Sequence, residues 1–208
     1  MELFIQQLFD DPKFFCLWVG SVVVSISIHE FCHAFMAREF GDDLAATEGY
    51  MTLNPLKVMG PTSLVCLLLF GICWGRVPVI RERVSRAGQS VISAAGPIAN
   101  FALMLLCGML LRIIMTEEAL SNSIGYSVFI FTHVNCILFI FNVLPIPNLD
   151  GWGIIEPFVP FMRKMSPELK GKIFGWTIFI LWVTPASKLL PFLTDLMMKV
   201  ILWGRIEN

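Results

Sequence analysis

Apolar residues run along this chain in long blocks, without the alternation of a half-buried strand or the 3.6-residue spacing of a surface helix. The longest block, Phe14 to Ala37, stops at Arg38-Glu39 and the turn residues Gly41-Asp42-Asp43. A second runs from about Gln89 to Met115 and contains Ala95-Gly96-Pro97. A third runs from Ile124 to Val143 and ends in the proline-broken stretch LPIPNLDGW. Each has the ~20 residues that an α-helix needs to cross a bilayer. Shorter blocks lie at Pro61–Trp74, Ile173–Val183 and Phe192–Trp203, the last two separated by Pro185 and Pro191. Residues 44–60, LAATEGYMTLNPLKVMG, are mixed and hold Thr, Gly and Pro, which predicts extended strands or loop.

This pattern predicts an all-α membrane protein, a polytopic helical bundle of about 4–6 membrane segments with a short membrane-associated β/loop region near 44–60. It reads as a single integral-membrane domain over 1–208, with a core at about 14–155 and accessory membrane segments at about 173–203. The opening stretch MELFIQQLFDDPKFF has neither a basic leader nor a small-residue cleavage site, so the first block is expected to be a retained span.

Composition strengthens the membrane assignment. Of the 208 residues, 56% are hydrophobic and only 15% charged, against roughly 25% charged in soluble domains. A net charge of −1 gives no reason to expect a nucleic-acid partner. The six cysteines sit in or beside apolar blocks without a CxxC pair, and read as small membrane- or core-facing residues. Charge also orients the spans. The loops at 75–86 (Arg76, Arg81, Arg83 and Arg86 against Glu82) and 162–172 (Arg163, Lys164, Lys170, Lys172) are basic and are expected in the cytoplasm. The turn at 116–123, with Glu117 and Glu118, is acidic and is expected outside. Span 89–115 then runs outward and span 124–143 inward, in a multi-pass protein of the cell membrane.

Against this background the segment SISIHEFCHAFMA, residues 25–37, stands out. His29 and His33 are four apart, so a helix stacks them on one face, where two imidazole nitrogens reach one metal ion. Zinc is the usual occupant, and Glu30 lies near enough to act as general base on its water. Chance would place HExxH in roughly two sequences per thousand of this composition. Interhelical hydrogen bonding is the plain alternative, but ionisable groups in a span are costly and rare. A catalytic zinc needs a third protein ligand, and His133 and Asp150 are the candidates. If spans 14–37 and 124–143 both run inward, Asp150 meets the histidine pair at similar depth, whereas His133 lies nearer mid-membrane and reads as a hydrogen-bonded interior residue. Asp150 is therefore favoured. The same reasoning predicts that Pro61–Trp74 is re-entrant or partly inserted: its helix would be about 21 Å long, short of a ~30 Å core, and a crossing there would put Asp150 on the wrong side. Asn100 and Asn135 are expected to make interhelical hydrogen bonds.

With these residues assembled, the chain resembles the site-2 protease family of intramembrane zinc metalloproteases, in its small bacterial and archaeal form without PDZ or CBS modules. SIHEFCHAFMA resembles the family's first zinc-binding helix, GYMTLNPLKVMGPTSL the stretch after it, SAAGPIANFALMLL the AGPxxN span and FNVLPIPNLDG the NxxPxPxLDG signature; together they cover about residues 20–155. The resemblance implies one zinc per chain on His29, His33 and Asp150, with Glu30 activating water and the active site toward the cytoplasm. It also implies that Asn142 holds substrate or oxyanion, and that the substrate is another protein's transmembrane segment; the strands expected near 44–60 offer an edge to receive it by β-addition. The family usually has Pro where this chain has Asn148, so Asp150 is delivered by a turn without proline's fixed φ. Two other classes are a catalytically silent metal-binding membrane scaffold and a metal transporter. The first has no need of Glu30, and the second is a poorer match to one off-centre site with a single general base.

Overall fold

The computed structural model describes residues 3–114 and 123–202. Helix α1 spans Pro12–Glu39, opened by Asp11, whose carboxylate accepts from the Phe14 amide, and by Pro12 at its first position. Helix α2 covers Gly60–Phe70 and ends at Gly71 in the left-handed conformation. Then follow α3 (Arg86–Ile114), α4 (Ser123–Asn142), the short α5 (Asp150–Ile155), α6 (Pro167–Val183) and α7 (Leu189–Leu202). The result is an all-α membrane protein. The acidic turn expected at 116–123 lies almost wholly outside the described residues, as do Met115 and Trp203.

Two expectations need correction. Among the described residues only α1, α3 and α4 are long and apolar enough to cross a membrane, fewer than the 4–6 segments expected; α2, α6 and α7, at 11, 17 and 14 residues, fall short. No strand forms at 44–60 either. That region holds single helical turns at Leu44–Thr47 and Pro55–Val58 with irregular chain between. Its backbone groups find partners locally: the Tyr50 amide donates to Ala45 O, the Thr52 amide to Tyr50 O and the Asn54 amide to Thr52 Oγ1. With no neighbouring strand to complete a ladder, this local bonding wins.

Side-chain partners fix the directions of the core helices. His29 meets Asn100 and His33 meets Ile92, so α1 and α3 run antiparallel. Ser25 meets Asn135, and Lys13 at the start of α1 meets Ser123 at the start of α4, so α1 and α4 run parallel. Residues 40–85 must therefore leave and return at one end of the bundle. The Asp42 carboxylate accepts from the Ile80 amide, and Ala37, Val84 and Ile92 pack together at that end. Between these points α2 dips inward: Leu67 packs with Val22 and Ile26 of α1 and Ile130 and Val134 of α4. Entry and exit on one side give the segment the path of a re-entrant loop.

Apolar packing closes the rest. Met104 and Leu111 of α3, Cys136 and Ile140 of α4, and Met198 and Leu202 of α7 form a second cluster. Large apolar side chains such as Leu106, Ile113, Ile124 and Phe192 stay exposed around the outside, the surface that lipid covers in a membrane protein. No described residue of α6 is buried.

Candidate metal centre

α1 carries Ser25, His29 and His33 at four-residue intervals on one face, and α3 carries Ile92, Gly96 and Asn100 at the same interval on the face opposite. At the centre of this contact is Gly96. A Cβ there would lie 2.4 Å from His29 Nε2 and 2.5 Å from His33 Nε2, so only glycine leaves space beside both imidazoles. Pro97 follows and lacks an N–H, so the Ser93 carbonyl, one residue beyond the Ile92 carbonyl that faces His33, loses its helical donor.

The two imidazole Nε2 atoms are 3.0 Å apart. Asp150 closes the group, with Oδ2 3.0 Å from His29 Nε2 and Oδ1 3.3 Å from His33 Nε2. His29, His33 and Asp150 offer ligand atoms that all lie within 4.8 Å of one another. Glu30 is buried beside them, and the chain at Gly75 passes so close that a Cβ there would lie 2.2 Å from Glu30 Oε1. His133 is elsewhere, mid-α4, between the rings of Trp18 and Phe129. Asn142 closes α4, and its amide donates to Leu138 O at 2.9 Å, within its own helix.

The donor chemistry of the trio fits a cation. His33 Nδ1 lies 2.7 Å from the Ile92 carbonyl and His29 Nδ1 lies 2.6 Å from Asn100 Oδ1. Both partners are oxygens that only accept, so each neutral imidazole carries its proton on Nδ1. The Nε2 atoms then face one another as lone pairs, and Asp150 Oδ2 is buried without a hydrogen-bond donor. Two nitrogen lone pairs and one carboxylate are the ligand set of a catalytic zinc site.

Asp150 arrives through the turn 143–149. Asn148 adopts φ 69° there, a left-handed value open to Asn but closed to proline, whose ring holds φ near −65°. Gly151 follows, where a Cβ would lie 2.2 Å from the Val143 carbonyl. Behind it α5 is tied to α3 by Ser90 Oγ donating to Ile154 O at 2.6 Å. Glu156, 5% exposed, ends this segment and pairs with Arg81 and Lys170. The sequence marks Asn100 and Asn135 only as interhelical groups; their link to His29 depends on the roll of α3, and the one signal for it is the Ile92-Gly96-Asn100 interval. The contacts of Gly75 with Glu30 and of Glu156 with Arg81 and Lys170 have no periodic signature.

No protein-family model matches the chain, and no solved structure matches it. Curated relatives do. "Putative zinc metalloprotease YwhC" of Bacillus subtilis is 37% identical over 179 residues, covering 80% of each chain. "Putative zinc metalloprotease Rip2" of Mycolicibacterium smegmatis is 34% identical over 182 residues, covering 83% of this chain and 68% of that one. "Putative zinc metalloprotease MJ0611" of Methanocaldococcus jannaschii is 29% identical over 166 residues, covering 76% and 81%. With a His-His-Asp donor set built on two buried histidines and a half-buried aspartate, and relatives of this identity and coverage, the chain belongs to the zinc metalloprotease family of YwhC and Rip2.

Proposed function

We propose that this protein is an intramembrane zinc endopeptidase of the site-2 type, cutting peptide bonds in or near transmembrane segments of other membrane proteins in regulated intramembrane proteolysis. The observation that carries the reading is the convergence of His29, His33, Asp150 and Glu30 inside an apolar three-helix bundle. Hydrocarbon excludes water from a peptide bond, so a protease working at this depth needs a polar cavity lined by protein.

His29, His33 and Asp150 would hold one zinc per chain. Zinc bound there supplies a Lewis acid that acidifies water and polarises a carbonyl. Glu30 is the general base: it takes the proton from water as the oxygen attacks the peptide carbon, and returns it to the leaving amine. Asn142 spends one amide N–H on Leu138 O and has a second to offer the substrate carbonyl as negative charge develops there. The substrate helix must unwind locally, since its own hydrogen bonds shield the scissile carbonyl. The catalytic core is about 14–155 with accessory segments at 173–203, in a multi-pass protein of the cell membrane. The basic loops 75–86 and 162–172 support a cytoplasm-facing site.

Purified protein in detergent should bind about one zinc per chain and cleave a labelled transmembrane peptide. Glu30→Gln should cut the rate by at least about a hundredfold with zinc retained. Cleavage that survives this substitution overturns the mechanism, and zinc binding without any cleavage by the unsubstituted protein favours a scaffold.

A further inference from the structure

Behind His29 lies a chain of buried side-chain hydrogen bonds whose polarity is fixed at one point. Asn135 Nδ2 donates to the Phe131 carbonyl and to Ser25 Oγ, each at 2.9 Å. A carbonyl only accepts, so the NH2 end of Asn135 must face Phe131 O, which turns its Oδ1 toward Asn100. Asn100 Nδ2 donates to that oxygen at 3.0 Å. The remaining atom, Asn100 Oδ1, then faces His29 Nδ1 at 2.6 Å. Ser25 and His29 lie one turn apart on the same face of α1, so the chain starts and ends on α1 and links it to α3 and α4. Ser25, Asn100 and Asn135 are fully buried, and an orientation once set has no solvent to exchange with.

The two histidines are therefore controlled differently. His33 faces a backbone carbonyl, which cannot be reversed. His29 faces a side-chain amide, which can turn through half a rotation. An Asn100 turned that way would put N–H groups against Nδ1 and move the imidazole proton to Nε2, into the space shared with His33 and Asp150.

We propose that Asn100 and Asn135 are positioning residues that hold His29 in its Nδ1–H form, with the Phe131 carbonyl as the fixed reference, so that a helix carbonyl on α4 sets the ligand state of a histidine on α1. This rests on the zinc reading for its purpose, but the proton location itself does not. In metal-free full-length protein in detergent, 15N shifts of the His29 ring should report the proton on Nδ1, and Asn135→Leu should yield a mixture of both forms. A proton on Nε2 in the unsubstituted protein, or no change in Asn135→Leu, overturns the proposal whether or not zinc binds.

Zinc affinity by chelator competition gives the second readout. Asn100→Leu should weaken zinc about 10–100-fold, Asn135→Leu by no more than about tenfold, and Asn100→Asp, which still offers Nδ1–H an acceptor but sets its second oxygen against Asn135 Oδ1, by less than Asn100→Leu. The visible spectrum of the Co2+-loaded protein should be kept in Asn100→Asp and altered in Asn100→Leu. Rescue by aspartate separates acceptor chemistry from packing. If Asn100→Asp loses as much affinity as Asn100→Leu, or if both leucine variants fold and bind zinc like the unsubstituted protein, the proposal fails. An unsubstituted protein that binds no zinc overturns the functional reading, and the ring shifts still decide the relay.

Discussion

His29 and Asp150 reach the same point by opposite routes. His29 comes from the middle of a 28-residue helix, where the backbone fixes spacing but leaves ring roll and tautomer open. Its orientation is imposed from outside, by Asn100 on α3 and, through it, Asn135 on α4. Asp150 comes from the first residue of a six-residue helix after an irregular turn. Its direction is imposed locally, by left-handed Asn148, the close approach at Gly151 and the pairing of Glu156 with Arg81 and Lys170. A ligand on a long helix needs neighbours to aim it, whereas a ligand on a turn needs clamps to hold it still.

The sharpest way to break this contrast is to perturb the neighbour of the helical ligands. Gly96→Ala puts a methyl group against both Nε2 atoms, and zinc affinity should fall by at least about a hundredfold, beyond the usual loss for a supporting residue. Gly108→Ala is the control on the same helix. There the added Cβ meets Ile201 Cγ2 of α7 at 2.3 Å, so the cost is overpacking of about 1–3 kcal/mol, read as a lower melting temperature with zinc affinity unchanged. Equal effects on zinc from the two substitutions would mean that α3 supports the site through general packing and not through the space at Gly96.

What the sequence made legible follows the same division. The histidine pair is visible because helical periodicity is local, and i, i+4 spacing needs no knowledge of the tertiary fold. The span boundaries are visible because hydrocarbon thickness sets them. Asp150 is reachable by depth reasoning, since α1 and α4 run parallel and the 40–85 excursion returns to the end it left. Strands at 44–60 were the failure: Thr, Gly and Pro content does not reveal whether a partner strand exists, and the backbone at Tyr50, Thr52 and Asn54 bonds locally instead. The links from Asn100 to His29, from Gly75 to Glu30 and from Glu156 to Arg81 and Lys170 join residues 71, 45, 75 and 14 positions apart. Beyond the Ile92-Gly96-Asn100 interval, no local pattern encodes such contacts.

On the turn side the next largest effect belongs to Asn148. Proline there cannot reach φ 69°, so Asn148→Pro should destabilise the protein by more than about 1 kcal/mol and weaken zinc less than Gly96→Ala does. Asn148→Gly, with the left-handed region open to it, should stay near the unsubstituted protein in both. Thermal unfolding and chelator competition on the same preparations check the pair. An Asn148→Pro variant as stable as the parent would show that the turn has a second conformation able to deliver Asp150.

The smallest effect expected is an acid-dependent one at the clamp. Burial alone would push the Glu156 carboxyl up, but Lys170 and then Arg81 outweigh it and bring it below its ordinary value of 4.5. A carboxylate depressed by folding stabilises the folded state above its unfolded pKa, and that contribution is lost as pH falls through the folded value. Lowering the pH from about 5 should therefore loosen the 150–158 segment before the three-helix core. Protection factors of those amides, which divide out the slowing of intrinsic exchange by acid, should fall with acid in the unsubstituted protein. In Glu156→Gln they should start lower and change less, because the glutamine has no proton to gain. Protonation of the other carboxylates and of the histidines is common to both proteins and cancels in the difference. Parallel acid slopes in the two proteins would remove Glu156 from the clamp and leave Asn148 and Gly151 to hold Asp150 through backbone geometry alone.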